Sequence, residues 1–253
     1  MPKLRVKDFH LEYTLFCGQL FRVSRVGDWR YVTARDRIFK IRQSSSRYLE
    51  FQGISEEFLI HYFALDEPYS TILREINKDP HIDKAIEKYR GLRIIRQDPW
   101  ECLISFLCSS AANIPKIKLN LEYLSKTFGK RICLNGVEGH TFPNPGDLNN
   151  YDEILKAKTG FRAKYIRIAN DLADEKFLLS LGKLPYAEAK SALKNIPGIG
   201  DKIADCILLF SFGFTGAFPI DTWIKKILQR LYFQSKAVPN KQLKDFGLKY
   251  FGK

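Results

Sequence analysis

The stretch Leu193–Asp221, LKNIPGIGDKIADCILLFSFGFTGAFPID, decides how this chain folds and where its chemistry lies. It contains a Pro197-Gly198-Ile199-Gly200 turn, an expected helix from about Asp201, and a carboxylate at its end. Glycines lack a Cβ atom, so they let a backbone turn sharply and let another chain come close. The unpaired N–H groups and the positive dipole end of the following helix favour a phosphate. The stretch therefore predicts contact with a phosphate backbone.

Two residues of the same stretch indicate an enzyme. Lys202 lies in the first turn of the expected helix, where the positive field favours the neutral, nucleophilic form of its amine. Asp221 is placed to act as the matching base or to stabilise positive charge on a substrate. A turn that only binds phosphate needs neither side chain, so the pair predicts covalent chemistry on the bound molecule.

Five motifs along the chain narrow the interpretation. They are CGQLFR (17–22), RQDPWECL (96–103), SFLCSS (105–110), GFRAKY (160–165) and KIADC (202–206). In this order, and followed by the Gly- and Pro-punctuated approach to Asp221, they resemble the 8-oxoguanine DNA glycosylases of the helix-hairpin-helix superfamily. The resemblance extends from about residue 9 to the end of the chain.

The resemblance implies excision of 8-oxoguanine from duplex DNA. The damaged nucleotide has to leave the base stack before its glycosidic bond can be reached. Lys202 is then the expected nucleophile at the sugar C1′, leaving a Schiff base, and β-elimination nicks the strand. Asp221 is expected to stabilise the developing positive charge. Two alternatives stay open, namely a glycosylase for a different damaged base and a non-catalytic helix-hairpin-helix DNA-binding module.

The resemblance also assigns recognition residues. Gly18 is expected to present its backbone carbonyl to the oxidised base, and Cys206 to contact the base or its pocket. Phe161 is the expected wedge at the gap left by the extruded base, and Arg162 the reader of the base opposite. The predicted DNA contacts as a set are Asn113, Lys116, Phe161, Arg162, Gly198 and Gly200.

The sequence departs from the family pattern at several positions. Ala111 and Ala112 stand where an asparagine triplet begins in vertebrate members, and Lys116 stands where an arginine helps to read the opposite cytosine. Lysine cannot form the planar fork of arginine, so opposite-base selectivity is expected to be looser. Trp223 replaces a histidine. Family members also continue past Gly252 with a helix that holds the flipped base, so weaker base recognition is expected of this chain.

Composition agrees with a nucleic-acid partner. The 253 residues include 41 Lys and Arg against 28 Asp and Glu, a net charge of +13 that favours polyanions. The cysteines are 17, 102, 108, 133 and 206, an odd number without a CxxC pair. This pattern argues against disulfides, a zinc site and an iron–sulfur cluster, and it predicts a reducing, intracellular compartment. We expect a monomer without metal or cofactor, which binds damaged double-stranded DNA and no membrane.

The hydrophobic patterns predict an α+β fold. A small antiparallel sheet is expected at about 9–42, because Leu11, Tyr13 and Leu15 alternate with polar neighbours, as do Trp29, Tyr31 and Thr33. With attached helices it forms a predicted N-terminal domain, 1–90. A larger helical domain, 91–253, is expected to carry the helix-hairpin-helix, with residues 130–150 as a loop. The expected helices are 55–63, 82–89, 99–112, 115–128, 151–158, 162–174, 185–194, 201–213, 221–234 and 239–251.

Overall fold

The computed structural model describes residues 1–252, and over these residues the chain forms seven strands and thirteen α-helices. The strands are β1 (Lys3–Arg5), β2 (Val23–Val26), β3 (Trp29–Ala34), β4 (Arg37–Ser45), β5 (Tyr48–Gln52), β6 (Arg131–Leu134) and β7 (Val137–His140). The helices are α1 (Leu11–Phe16), α2 (Glu56–Tyr62), α3 (Tyr69–Ile76), α4 (Pro80–Lys88), α5 (Pro99–Cys108), α6 (Ile114–Phe128), α7 (Tyr151–Lys156), α8 (Ala163–Leu172), α9 (Glu175–Leu181), α10 (Tyr186–Lys194), α11 (Asp201–Phe212), α12 (Thr222–Tyr232) and α13 (Asn240–Phe251). A short 3₁₀ turn, Gly160–Arg162, precedes α8.

The N-terminal strands form one antiparallel sheet in the order β1-β5-β4-β3-β2. Val32 of β3 lies opposite Phe39 of β4, and both side chains are buried against α2 and its neighbours. Gly27, with φ +55°, turns the chain between β2 and β3. The predicted α+β fold class is confirmed.

The prediction of a strand at the start of this region is wrong. The residues that alternate, Leu11, Tyr13 and Leu15, lie in helix α1. The buried residues are Leu11, Thr14 and Leu15, which follow the i, i+3, i+4 spacing of a helix. The sheet accordingly uses β1 and residues 23–52 rather than about 9–42.

The segment predicted as a loop, residues 130–150, contains the hairpin β6–β7. Its turn is Asn135-Gly136, with φ values of +50° and +78°. Both angles are positive, as the two-residue turn of a hairpin requires, and Asn-Gly is the strongest sequence signal for such a turn. The hairpin packs on the sheet, where Gly139 lies against the side chains of Thr33 in β3 and Ile38 in β4.

Three hydrophobic clusters hold the elements together. One lies between the sheet and helices α1 and α2 and also takes in Ile95. The largest is built on α5, α6, α8 and α11, and a third, small cluster joins α12 to α13 around Leu228, Val238 and Leu243. The division of the chain into domains 1–90 and 91–253 stays a prediction. No helix among residues 1–252 is long and apolar enough to span a bilayer.

Buried charges fix the sheet on α5. Asp98 caps this helix by accepting from the Glu101 N–H at 2.9 Å, and Pro99 fills its first position. Glu101 receives the Arg22 guanidinium at 3.1 Å and the Arg35 N–H at 2.7 Å. Burial raises the pKa of Glu101, and the positive charge of Arg22 opposes that rise. These contacts join the sheet to the helix against which α11 packs.

Candidate active site

The two glycines of the hairpin between α10 and α11 differ in backbone conformation. Gly198 adopts the sharp turn that the sequence predicts, whereas Gly200 is extended. Gly198 has φ +93°, and a Cβ atom there would lie 2.5 Å from the Tyr165 ring. A side chain at this position would therefore clash and be strained. Gly200 is in an extended conformation, φ −94°, with nothing within 4 Å of an added Cβ. Its lack of a side chain leaves the surface open to an external group.

Within residues 1–252 no side chain caps the start of α11. Gly200 is its N-cap residue, and the first-turn N–H groups have no side-chain acceptor in that part of the chain. These donors point outward beside the exposed turn, which is the arrangement that binds a phosphate oxygen. The predicted phosphate contacts at Gly198 and Gly200 stay predictions.

Lys202 reaches from the first turn of α11 to the C-terminal end of α5. Its Nζ lies 3.0 Å from the Ser109 hydroxyl and 5.1 Å from the centre of the Phe106 ring. Among the described residues, 1–252, no carboxylate forms an ion pair with this amine. The side chain is half-buried, so its amine is held in place but remains accessible. This environment suits a nucleophile.

Asp221 has a structural task in addition to the predicted chemical one. It is the N-cap residue of α12, and its Oδ1 accepts from the N–H groups of Trp223 at 2.9 Å and Ile224 at 2.7 Å. Within residues 1–252 the structure records no hydrogen bond to Oδ2. One carboxylate oxygen therefore caps the helix, and the residue as a whole is half-exposed.

The charges of both predicted catalytic residues act on the thiol of Cys206. Burial raises the pKa of its thiol to about 12, Lys202 opposes that rise, and the charges of Asp205 and Asp221 add to it. Both Lys202 and Asp221 thus lie close enough to influence the same sulfur. The thiol stays protonated at neutral pH and can serve only as a soft contact surface.

Asp205 holds three helices together around the hairpin. Its side chain is 1% exposed, and Oδ1 accepts from the Tyr186 hydroxyl at 2.6 Å and meets Lys190 Nζ at 2.8 Å. Oδ2 pairs with Lys244 of α13. The carboxylate therefore joins α10, α11 and α13, which is the packing function that its position on α11 allows.

Asp79 anchors the small α12–α13 unit from the other side. Its Oδ2 accepts from the hydroxyls of Tyr232 at 2.8 Å and Tyr250 at 3.0 Å, while Oδ1 caps α4. Because Asp221 begins α12, these contacts help to fix the position of its carboxylate. This role of Asp79 was not predicted, because no local sequence pattern links it to residues more than 150 positions away.

Gly18, the predicted contact to the oxidised base, lies in a tight turn. Gly18 has φ +97°, and an added Cβ would lie 3.8 Å from Ile114 at the start of α6. The buried Gln19 beside it donates to the Thr14 and Arg93 carbonyls at 2.9 and 2.8 Å and so fixes the turn. Within residues 1–252 no hydrogen bond to the Gly18 carbonyl is recorded, and its predicted contact with the oxidised base stays a prediction.

Asn113 and Lys116 occupy the first turn of α6. The Asn113 side-chain oxygen accepts from the Lys116 N–H at 3.0 Å and caps the helix, so this oxygen already has a partner. Lys116 itself is half-buried. The predicted DNA contacts of both residues stay predictions.

Phe161 and Arg162 are neighbours with opposite environments. Phe161 is 57% exposed, as a side chain that wedges into DNA must be, and stays a predicted wedge. Arg162 is only 7% exposed, and its guanidinium donates to the Thr159 and Ala111 carbonyls at 2.9 and 3.0 Å. Its Nε donates to the Ser110 carbonyl at 2.6 Å. In this structure the predicted reader of the opposite base is therefore bound to the protein's own main chain.

Metal chemistry has no visible site. No group of three or more His, Cys, Asp or Glu side chains among residues 1–252 is arranged to hold an ion.

Trp223, beside Asp221, is 69% exposed, and Lys226 Nζ lies 5.2 Å from the centre of its ring. An exposed aromatic ring and a basic side chain thus lie together next to Asp221.

Comparisons with known proteins agree with this geometry. Residues 3–103 match the model of the 8-oxoguanine DNA glycosylase N-terminal domain. The chain is 34% identical over 248 residues to N-glycosylase/DNA lyase OGG1 of Arabidopsis thaliana, covering 89% of this chain and 67% of the relative. The structure of MBOgg1 in complex with a low-affinity DNA ligand superposes with a TM-score of 0.93 at 34% identity, over 99% of this chain and 89% of that one.

A second solved structure comes from Clostridium acetobutylicum. Its 8-oxoguanine glycosylase/lyase, in complex with duplex DNA containing cytosine opposite 8-oxoguanine, superposes with a TM-score of 0.91 at 31% identity. The match covers 100% of this chain and 92% of that chain. On its fold, its hairpin and these relatives, the chain belongs to the 8-oxoguanine DNA glycosylase family.

Proposed function

We propose that this chain is a bifunctional DNA glycosylase and lyase that removes 8-oxoguanine from double-stranded DNA. The observation that carries the proposal is the environment of Lys202. Its amine is half-exposed in the first turn of α11, is held by a neutral hydroxyl at 3.0 Å, and forms no ion pair with a carboxylate among residues 1–252. The names of the relatives support the choice of lesion.

The reaction begins with extrusion of the damaged nucleotide toward Lys202. Phe161 fills the vacated space, and the Gly18 carbonyl and Cys206 thiol contact the oxidised base. The Lys202 lone pair forms a bond to C1′, while the bond from C1′ to the base breaks and its electron pair leaves with the base. Asp221 stabilises the positive charge that develops on the sugar.

The lyase step follows from the same covalent bond. Nζ then loses one proton, and the C1′–O4′ bond breaks with its electron pair going to O4′, which takes up a proton. The C1′–Nζ bond thereby becomes that of a protonated Schiff base. Loss of a proton from C2′ then expels the 3′ phosphate, which breaks the strand by β-elimination. Water finally hydrolyses the Schiff base and returns the free amine of Lys202. The positive net charge and the uncapped start of α11 hold the phosphate backbone during these steps.

Borohydride trapping tests the proposal. Reduction of the Schiff base fixes the protein to a duplex that contains 8-oxoguanine, and a panel of other damaged bases identifies the preferred lesion. Lys202→Gln should abolish the adduct while leaving duplex binding nearly unchanged. Lys194→Gln is the matched control, because it removes the same charge from the same hairpin, where Lys194 pairs with Asp201 at 3.1 Å.

Two results would contradict the proposal. An adduct formed by Lys202→Gln would mean that another amine is the nucleophile. Release of the base by the unaltered protein without any adduct would indicate a glycosylase that uses water, with Asp221 as its essential residue. A duplex panel in which another lesion is preferred would keep the chemistry and change the substrate.

A further inference from the structure

The turn after α5 connects Lys202 to the predicted reader of the opposite strand. Ser109, the first residue of this turn, has its Oγ 3.0 Å from Lys202 Nζ and 2.7 Å from the Phe106 carbonyl oxygen. A carbonyl only accepts, so the single hydroxyl proton of Ser109 points to Phe106. The amine of Lys202 is therefore the donor in the other hydrogen bond, and the position of the hydroxyl sets the position of the amine.

Arg162 holds the same turn from the opposite side. Its Nε donates to the Ser110 carbonyl at 2.6 Å, and its terminal nitrogens donate to the carbonyls of Ala111 at 3.0 Å and Thr159 at 2.9 Å. Ala111 has φ +48°, a conformation that a residue with a Cβ atom seldom adopts. The turn thus has a disfavoured backbone, and a buried guanidinium spans its carbonyl groups.

We propose that Ser109 is a positioning residue for the Lys202 amine, and that Arg162 acts on Lys202 through the Ser110–Ala111 carbonyls and Ser109. This inference rests on the proposed function, in which Lys202 is the nucleophile. It links Arg162, the predicted reader of the opposite base, to the nucleophile through the turn after α5.

The chemistry of a hydroxyl suits this task. A carboxylate at the same distance would hold the amine in its charged form, which has no lone pair for attack. The Ser109 hydroxyl is a neutral acceptor and fixes the amine with less stabilisation of that form. A nucleophile held within hydrogen-bonding geometry reacts faster than a mobile one, because orientation is already established before attack.

The first experiment measures the nucleophile directly. An abasic duplex offers an aldehyde at C1′, which condenses with the Lys202 amine to an imine and water, and borohydride reduces the imine to a stable amine. With saturating enzyme, Ser109→Ala should slow this trapping by about ten- to a hundredfold, the usual effect of a misplaced reacting group. Affinity for the same duplex and the melting temperature should stay close to those of the unaltered protein.

Two variants serve as controls. Ser110→Ala makes the same truncation one residue later, where only main-chain groups have recorded hydrogen bonds within residues 1–252, and it should trap at the unaltered rate. Ser109→Thr restores the hydroxyl and should recover most of the rate that Ser109→Ala loses. Slow trapping in both Ser109 variants, with a lowered melting temperature, would mean that the Ser109 side chain only packs against its neighbours. That result would overturn the positioning role.

The second experiment separates the positioning role of Arg162 from base reading. In a duplex with no base opposite the abasic site, a residue that only reads the opposite base has nothing to contact. Arg162→Ala should nevertheless slow trapping there, and combining it with Ser109→Ala should add little further loss, because the two act in series. An unchanged rate for Arg162→Ala on this duplex, or independent and additive losses, would refute the link.

Failure of this inference is distinguishable from failure of the proposed function. If Lys202→Gln still traps, the nucleophile is wrong, whatever the Ser109 variants do. If Lys202→Gln abolishes trapping while Ser109→Ala traps at the unaltered rate, only the positioning role is wrong.

Discussion

Replacing Asp221 by asparagine separates its structural task from its chemical one. The Asp221 Oδ1 atom accepts two backbone N–H groups at 2.9 and 2.7 Å and caps α12. Asparagine offers the same oxygen and ranks beside aspartate as an N-cap residue. Only the attraction between the carboxylate charge and the positive end of the α12 dipole is lost, so the free energy of unfolding should fall by about 0.5 kcal/mol. Asp221→Ala removes the cap itself and should lower it by about 1–2 kcal/mol.

These free energies correspond to measurable shifts. In a chain of this size a loss of 1 kcal/mol lowers the melting temperature by about 2–4 °C. We therefore expect a drop of about 1–2 °C for Asp221→Asn and about 2–8 °C for Asp221→Ala. The rate of excision, unlike the melting temperature, should be lowered to a similar extent in both variants. Both variants lack the negative charge that stabilises the sugar cation, so both should release base about 10²–10⁴-fold more slowly.

The assay is single-turnover release of 8-oxoguanine from a duplex, followed beside thermal unfolding of the same samples. Borohydride trapping on an abasic duplex reports separately on Lys202, and Asp221→Asn should retain part of it. Excision by Asp221→Asn within about threefold of the unaltered rate would refute the reasoning, because Asp221 would then be a helix cap and nothing more.

Further predictions concern binding, the wedge, selectivity and the thiols. Duplex affinity should fall by at least about tenfold between 50 and 200 mM salt, because phosphate contacts release counterions, and an affinity independent of salt would contradict the basic-surface argument. Phe161→Ala should slow excision from duplex at least about tenfold while the melting temperature changes by less than about 2 °C, since the ring is 57% exposed; a large thermal shift would instead assign Phe161 to the core. Excision opposite cytosine should exceed excision opposite adenine only modestly, and Lys116→Arg should widen the ratio; strict cytosine dependence of the unaltered protein would show that Lys116 does not loosen selectivity. At pH 8 an alkylating reagent should modify the exposed Cys133 quickly and leave Cys206 intact, because burial raises the pKa of the Cys206 thiol to about 12; equal rates would contradict that environment.

Local signals determined much of the fold. The alternation at Trp29, Tyr31 and Thr33 predicted β3, and Asp98-Pro99 predicted the start of α5, since caps and first-turn prolines depend on neighbouring residues alone. The same kind of reasoning failed at α1. A run of six residues is too short to separate a period of two from the i, i+3, i+4 pattern that buries Leu11 and Leu15.

Two elements that were not predicted, the β6–β7 hairpin and helix α9, have clear signals in the local sequence. The Asn135-Gly136 dipeptide is a strong hairpin signal, but the prolines and asparagines that follow it predicted a loop over the whole of residues 130–150. Helix α9 was not predicted either, although Asp174 caps it by accepting from the Phe177 N–H at 2.7 Å. In both cases the deciding residues are close together in sequence, so the element is encoded locally.

The sequence by itself determined the hairpin, the family and the two residues proposed for the chemistry, because a turn, a helix start and a nearby carboxylate are encoded within Leu193–Asp221. Only the tertiary structure decided what surrounds them. Lys202 meets the Ser109 hydroxyl across 93 positions, and the Arg162 guanidinium binds carbonyls 51 and 52 positions away. Such pairs have no local pattern, since packing of α11 against α5 brings them together. A hydrogen bond depends on distances of about 3 Å, and only the folded chain sets these.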